Sequence, residues 1–155
     1  MTPVYLDIAA ALSLALLTGT EFAVSAFVNP VLWRLDDRSQ SLAVKAFADK
    51  LGSAMPPWYG ANLLLLIIET VLRRHHPGGI FFLWSCILWA LVILFTVLFL
   101  VPLNNRLRQM QTHLLSAADR QTHRKWDARH RLRVAVLILA CILFLYGIAA
   151  NAGLA

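Results

Sequence analysis

The chain has 155 residues, of which 59% are hydrophobic and 14% are charged, and its formal net charge is +6. Soluble domains contain about 45–50% apolar and about 25% charged residues, so this composition excludes an ordinary soluble globular protein. Basic proteins often bind nucleic acid, but here the Lys and Arg residues lie between apolar runs, and we expect no nucleic-acid partner.

Four apolar runs account for the excess of hydrophobic residues: 8–35, 55–72, 80–103 and 134–154. Each run supplies about 20 residues, which is the length needed to cross a hydrocarbon core of roughly 30 Å. The first run has neither a basic segment before it nor a small-residue cleavage site, so it is interpreted as a retained helix. The sequence therefore predicts an all-α, integral membrane four-helix bundle, a single domain over residues 1–155 with the lipid bilayer as its partner.

The first helix is predicted to end near Asn29–Pro30 or one turn beyond, because an internal proline kinks a helix. A short helix on the membrane surface is predicted next, from apolar residues at i, i+4 and i+8. These residues are Ala43, Phe47 and Leu51. Pro56–Pro57 are predicted to start the second membrane helix, since proline suits the first helical turn.

The third helix is predicted to continue beyond the membrane as an amphipathic cytoplasmic extension. The pattern that indicates this is the spacing of Leu103, Leu107, Met110 and Leu114. A break is expected around 117–119. Another helix, beginning near Thr122, is then expected to lead directly into the fourth membrane helix.

The distribution of positive charge predicts the orientation in the membrane. The first and third connections together carry twelve Lys and Arg residues, whereas the second carries two. The positive-inside rule therefore places loops 36–54 and 104–133 in the cytoplasm and both termini outside, in a bacterial-type inner membrane. Cys86 and Cys141 both lie within apolar runs and are expected to be buried free thiols.

Polar and aromatic residues from all four helices are predicted to meet in the cytoplasmic leaflet. They are Asn29, Trp58, Tyr59, Asn104, Asn105, Trp126, His130 and Arg133. The last three are spaced i, i+4 and i+7, so they share one helical face. His130 could act as a general base or ligate haem iron or copper, and Arg133 could hold an anionic oxygen or a propionate. The alternative is an aromatic belt with basic residues facing lipid headgroups.

Two further groups of polar residues have alternative interpretations. Glu21 lies near the middle of the first helix, where a carboxylate is costly. It could carry a proton, ligate a metal or pair with a cation, or it could simply form a hydrogen bond across the bundle. His123 and Asp127 lie near the face of His130 with a spacing that can bind a metal, although such spacings are common by chance. Glu69 is expected to pair with Arg73 at i+4 or to snorkel.

Several of these segments resemble the anthrone oxygenase-like family of small four-helix membrane proteins. The matching residues are Val101–Leu107, Trp126-x3-His130-x2-Arg133, Gly19–Phe22 with Phe27 and Asn29–Pro30, and Met55–Tyr59. The resemblance implies a membrane four-helix bundle that uses molecular oxygen to oxidise a polycyclic phenolic (anthrone) carbon to a quinone. Asn29 is a departure, since a histidine is expected at this position in similar members.

The leading hypothesis is a membrane oxidoreductase acting on a lipophilic aromatic or quinone-like compound. Its predicted catalytic residues are His130, Arg133, Asn104, Trp126 and Glu21. Predicted cofactor contacts are His130, Arg133, Asn29 and Tyr59, and predicted metal ligands are His130 and Glu21. Haem or copper is one expectation, and oxygenation without a cofactor is the other. The alternatives are a proton-coupled exporter that uses Glu21 and a non-catalytic haem-binding subunit. A homo-oligomer is expected because so small a bundle has a limited interior.

Overall fold

The protein is described by a computed structural model that covers residues 2–110 and 115–153. Helix α1 comprises Thr2–Ala23, a π-helical turn at Val24–Val28 and a last turn at Asn29–Leu32. Helix α2 spans Asp37–Arg73. Helix α3 comprises Gly79–Phe95, a π-helical turn at Thr96–Leu100 and Val101–Arg108. Helix α4 spans Ala117–Asn151.

All four helices are long and apolar enough to cross a membrane, which confirms the predicted four-helix membrane bundle. Each helix packs mainly against its neighbours along the chain, and α4 closes the ring by packing against α1. The core of the bundle contains Leu14, Tyr59, Phe82, Trp89 and Phe144. Many large apolar side chains, Leu64 and Leu98 among them, are exposed on the outside of the bundle, where they suit contact with acyl chains.

Helix α2 corrects two predictions. The surface helix around Ala43–Leu51 and the second membrane helix are one continuous helix, and Pro56–Pro57 lie inside it. The helix begins earlier because the Asp36 carboxylate accepts hydrogen bonds from the backbone amides of Arg38 and Ser39, both 3.1 Å away. Hydrogen bonding from Ser39 lowers the pKa of this carboxyl. With 37 residues, α2 is about 55 Å long and projects beyond a hydrocarbon core of roughly 30 Å.

The connection between α3 and α4 also differs from the prediction. Helix α3 ends at Arg108, so the predicted extension is short, and Leu114 lies outside the described residues. Helix α4 begins at Ala117 rather than near Thr122, because Ser116 and Asp119 form a capping box. Leu107 and Met110 are buried against Leu32 and Val44 in a second, smaller core. The break between the helices therefore precedes residues 117–119.

A buried ion-pair network joins α1 to α2 at the end of the bundle opposite the basic connections. Arg73 donates to Asp7 at 2.6 Å and to Glu69 at 2.9 Å. The predicted Glu69–Arg73 pair is thus present, but Glu69 is fully buried instead of snorkelling. The Arg73 guanidinium also lies over the Phe82 ring, 5.6 Å from its centroid.

Arg73→Met is expected to lower the free energy of unfolding by about 3–5 kcal/mol, because Glu69 and Asp7 would lose their shared cation. Thermal unfolding of the purified protein in one detergent, followed by its helical signal, measures this loss. Arg74→Met is the matched control, since Arg74 is exposed and should change stability by only about 0.5 kcal/mol. Equal losses in the two variants would contradict a stabilising role for the network.

Candidate functional site

A cavity of about 420 Å³ lies between α2, α3 and α4, and the buried Glu21 of α1 forms its base. Small-molecule sites usually have volumes of roughly 300–1,000 Å³ and mostly apolar walls. Here the apolar walls come chiefly from α2 and α3, and the polar side chains come from all four helices. The polar and aromatic lining residues are Glu21, Tyr59, Thr96, Asn104, Asn105, Arg108, Trp126, His130 and Arg133.

Two prolines explain the local shape of α1 and α3 beside the cavity. Pro30 lies two residues after the π turn Val24–Val28, and Pro102 lies two residues after the π turn Thr96–Leu100. A proline ring clashes with the carbonyl four residues earlier, and a wider turn moves that carbonyl away. The turn in α3 brings Thr96 to the cavity, while the turn in α1 follows directly after the segment that carries Glu21.

Glu21 is the centre of a buried cluster of polar side chains. Its Oε1 accepts a hydrogen bond from the Tyr59 hydroxyl at 2.8 Å, and its Oε2 accepts one from Arg133 Nη2 at 2.5 Å. The Glu21 side chain is only 4% exposed. The carboxylate expected to be costly within the membrane therefore has a cation and a hydroxyl as partners.

The tautomer of His130 follows from its two neighbours. Arg133 Nη2 lies 3.0 Å from His130 Nδ1, and because a guanidinium can only donate, Nδ1 must be the acceptor. His130 Nε2 then donates its hydrogen to the Glu21 backbone carbonyl, 3.2 Å away. Trp126 stacks on the imidazole, with ring centroids 4.7 Å apart and an interplanar angle of 12°. His130 is thus fixed in orientation by Glu21, Trp126 and Arg133.

Arg133 retains hydrogen-bonding capacity that no described residue uses. Its Nε is buried and has no hydrogen-bond partner among the described residues, and its Nη1 makes only a long 3.4 Å contact to Thr96 Oγ1. A buried donor without a partner is unfavourable, by about 1–3 kcal/mol. Arg133 and Thr96 both line the cavity, so a ligand oxygen bound there would lie beside this guanidinium.

The predicted residues are not all at this cavity. Asn29 is buried, and its amide donates to Asp127 Oδ1 at 2.9 Å. It lines a neighbouring cavity of about 30 Å³, which is too small for an aromatic substrate. Trp58 donates its indole hydrogen to Ser13 Oγ at 3.0 Å and is not part of the cavity lining.

Several cavity residues were not predicted as site residues from the sequence, among them Thr96, Gly60 and Met55. Thr96 and Gly60 carried at most a weak signal, because a threonine or glycine inside an apolar helix is ordinary in membrane proteins. Met55 was noted only as part of the Met55–Tyr59 resemblance. Thr96 could be predicted only from the π turn at Thr96–Leu100, which ends two residues before Pro102.

The arrangement of donors at the base of the cavity fits a metal or haem iron poorly. Both oxygens of Glu21 and both nitrogens of His130 already have hydrogen-bond partners within the cluster. The Arg133 cation lies between them and would repel a metal ion. Within residues 2–110 and 115–153, no three His, Cys, Asp or Glu side chains are arranged to hold a metal. His123 instead stacks on Trp33, with ring centroids 4.3 Å apart.

Comparison with known proteins identifies the family. No curated protein and no solved structure gives a significant match to the chain. The family model described as anthrone oxygenase matches residues 4–143. That match covers most of the chain, and the chain therefore belongs to the anthrone oxygenase family.

Proposed function

We propose that this membrane protein is an oxygenase that converts an activated methylene carbon of a lipophilic polycyclic phenol into a carbonyl, using molecular oxygen and no cofactor. The observation that carries the proposal is the buried Glu21–Arg133–His130 cluster at the base of a 420 Å³ apolar cavity. The cavity suits a neutral aromatic molecule. The cluster supplies a base beside a cation that has unused donors.

The proposed chemistry assigns one role to each residue of the cluster. Glu21 removes a proton from the substrate carbon, and the Arg133 guanidinium, which lines the cavity, stabilises the enolate oxygen that forms. His130 positions Arg133, and Trp126 positions His130. The carbanion then reduces oxygen and forms a carbon–oxygen bond, and the peroxide loses water to leave the carbonyl. In balance, one methylene group and one O₂ give one carbonyl and one water.

Asn104 is proposed to contact the substrate near the cytoplasmic end of the cavity. Its amide donates to the Ala48 carbonyl at 3.2 Å, which ties α3 to α2. The predicted orientation is retained as part of the proposal, with the basic segments 36–54 and 104–133 in the cytoplasm of a bacterial-type inner membrane. The homo-oligomer stays a prediction, and the cavity itself is formed within one chain.

The exporter hypothesis is less well supported by this arrangement. An exporter must bind a cationic drug at its carboxylate, whereas the Arg133 cation already lies 2.5 Å from Glu21 Oε2. The haem-carrier hypothesis requires a free imidazole nitrogen, and both nitrogens of His130 have partners. Cofactor-free oxygenation requires neither a second cation at Glu21 nor a free nitrogen on His130.

The test is oxygen consumption by the purified protein in detergent with anthrone as the substrate probe. We expect a colourless protein without stoichiometric metal, one O₂ consumed per anthrone, and one atom of ¹⁸O₂ incorporated into the anthraquinone formed. A stoichiometric haem or metal whose removal abolishes turnover would overturn the cofactor-free mechanism. Failure to oxidise any hydroxyanthracene or anthrone would overturn the function.

A further inference from the structure

The cavity opens at a gap between α2 and α3. Helix α2 packs against α3 along Gly79–Phe95 and again along Val101–Arg108, but few contacts join it to the π turn Thr96–Leu100 between them. This π turn precedes Pro102 by two residues. The two helices are therefore separated at the depth of the turn and in contact on either side of it.

Six residues that line the cavity are exposed on the outside of the bundle. Asn105 and Arg108 lie towards the cytoplasmic end, and the other four lie around the gap. Val97 is 55% exposed and Val101 is 40% exposed, and Pro56 and Gly60 of α2 are exposed as well. A Cβ added at Gly60 would meet no atom within 4 Å. We call these four residues the window, and all of them are apolar.

Helices α2 and α3 are tied together at the cytoplasmic side of the window. A Cβ at Gly52 would lie 2.7 Å from Asn104 Nδ2, so the helices are in tight contact at that level. The Asn104 amide donates to the Ala48 carbonyl at 3.2 Å. One turn further, Arg108 forms an ion pair with Asp49 at 2.6 Å. Asn105 and Arg108 line the cavity at this level, so a substrate arriving from the aqueous side would pass polar side chains and the Arg108–Asp49 ion pair.

We propose that the substrate enters and the product leaves sideways through the window, directly from the acyl-chain region of the bilayer. The inference rests on the proposed function for the identity of the occupant, a neutral planar aromatic molecule with one polar edge. An apolar rim admits the neutral form and disfavours an anion, so the enolate forms only inside, beside Arg133. A lipid acyl chain has no polar atom that could satisfy Arg133 Nε.

The experiment uses a reversible block at Gly60. Gly60→Cys is introduced together with Cys86→Ala and Cys141→Ala, reconstituted in liposomes, and labelled with benzyl methanethiosulfonate, which a thiol reductant removes. We expect labelling to lower kcat/KM for anthrone roughly tenfold or more because association slows, and reduction to restore it. The matched control is Gly19→Cys, an exposed glycine on α1 where an added Cβ also meets no atom within 4 Å.

Two readouts separate failure of the window from failure of the proposed function. Binding of anthraquinone, which needs no turnover, is followed by quenching of tryptophan fluorescence, and the label at position 60 should slow both its association and its dissociation. If the label slows binding but the protein has no oxygenase activity, the proposed function is wrong and the window is supported. Equal effects of the labels at positions 60 and 19, or no effect at 60, would overturn the window. So would a rate that follows the aqueous substrate concentration rather than its mole fraction in the membrane.

Discussion

Arg133→Lys is expected to lower kcat for anthrone oxygenation by roughly 10²–10³-fold, which is the usual effect of removing one donor to a developing oxyanion. Lysine keeps a positive charge near Glu21 but lacks the planar guanidinium, which donates to Glu21 and His130 at once and leaves its other nitrogens for the enolate. Oxygen consumption measured over a range of anthrone concentrations separates kcat from KM. A lysine variant with nearly normal kcat would contradict the proposed role of Arg133 in stabilising the enolate.

A pair of variants tests the structural support that the Arg133–Glu21 ion pair provides. Arg133→Met leaves the buried Glu21 carboxylate without its cation and is expected to lower the free energy of unfolding by about 3–5 kcal/mol. Adding Glu21→Gln removes the unpaired charge and should recover most of that loss. Activity should be absent from both variants. Because Glu21→Gln also removes the proposed base, this pair tests only the ion pair: recovered stability would assign the loss in Arg133→Met to the unpaired Glu21 charge, and no recovery would contradict that assignment.

The fold could be predicted from the sequence because its strongest determinant is simple. Four runs of about 20 apolar residues are expected to cross the membrane as helices. In hydrocarbon, backbone amides can form hydrogen bonds only within the protein, and a helix provides them. Helix boundaries in the polar segments were harder to predict. Pro56–Pro57 were interpreted as a helix start, yet the helix runs through them from Asp37. Proline is compatible with a first turn and, at a cost, with an interior position.

The site was predicted in part because depth in the membrane follows from sequence order. Tyr59, Asn104, Asn105, Trp126, His130 and Arg133 were expected near one depth, with Glu21 nearer the middle of the membrane, and all of them line the cavity. Asn29 was expected with them but contacts Asp127 instead. Depth does not give the direction in which a side chain points around its helix, and the π turn at Val24–Val28 changes the rotation between Glu21 and Asn29.

The window depends on information that no sequence pattern carried. Gly60 and Val97 are ordinary residues of lipid-facing helices. Only the separation of α2 from α3 at Thr96–Leu100 shows that both lie beside the same opening of the cavity. The Glu21–Arg133–His130 cluster at the base of the cavity likewise could not be predicted from local sequence. Glu21 and Arg133 are 112 positions apart in the chain, so their pairing follows from the contact between α1 and α4 rather than from local spacing.

Glu21→Gln is expected to reduce removal of the substrate proton by roughly 10²–10⁴-fold, the usual contribution of a positioned general base. The measurement is exchange of the anthrone methylene hydrogens with deuterium from D₂O under anaerobic conditions, where the later reaction with oxygen cannot occur. Glutamine keeps one acceptor oxygen, which can face Tyr59 or Arg133, while its NH₂ group meets the other donor. The variant therefore removes the ion pair to Arg133 together with the basicity, so its thermal stability is measured alongside the exchange rate.

Glu69→Gln is the matched control, since it makes the same change at a fully buried carboxyl outside the cavity. Its exchange rate should equal that of the wild-type protein. Arg133→Lys should slow exchange as well, because the enolate oxygen loses a donor, whereas an effect confined to the oxygen-dependent step would assign Arg133 to that step. Normal exchange in Glu21→Gln combined with lost exchange in His130→Gln would identify His130 as the base, and Glu21 would then serve to hold Arg133 in place through their 2.5 Å contact.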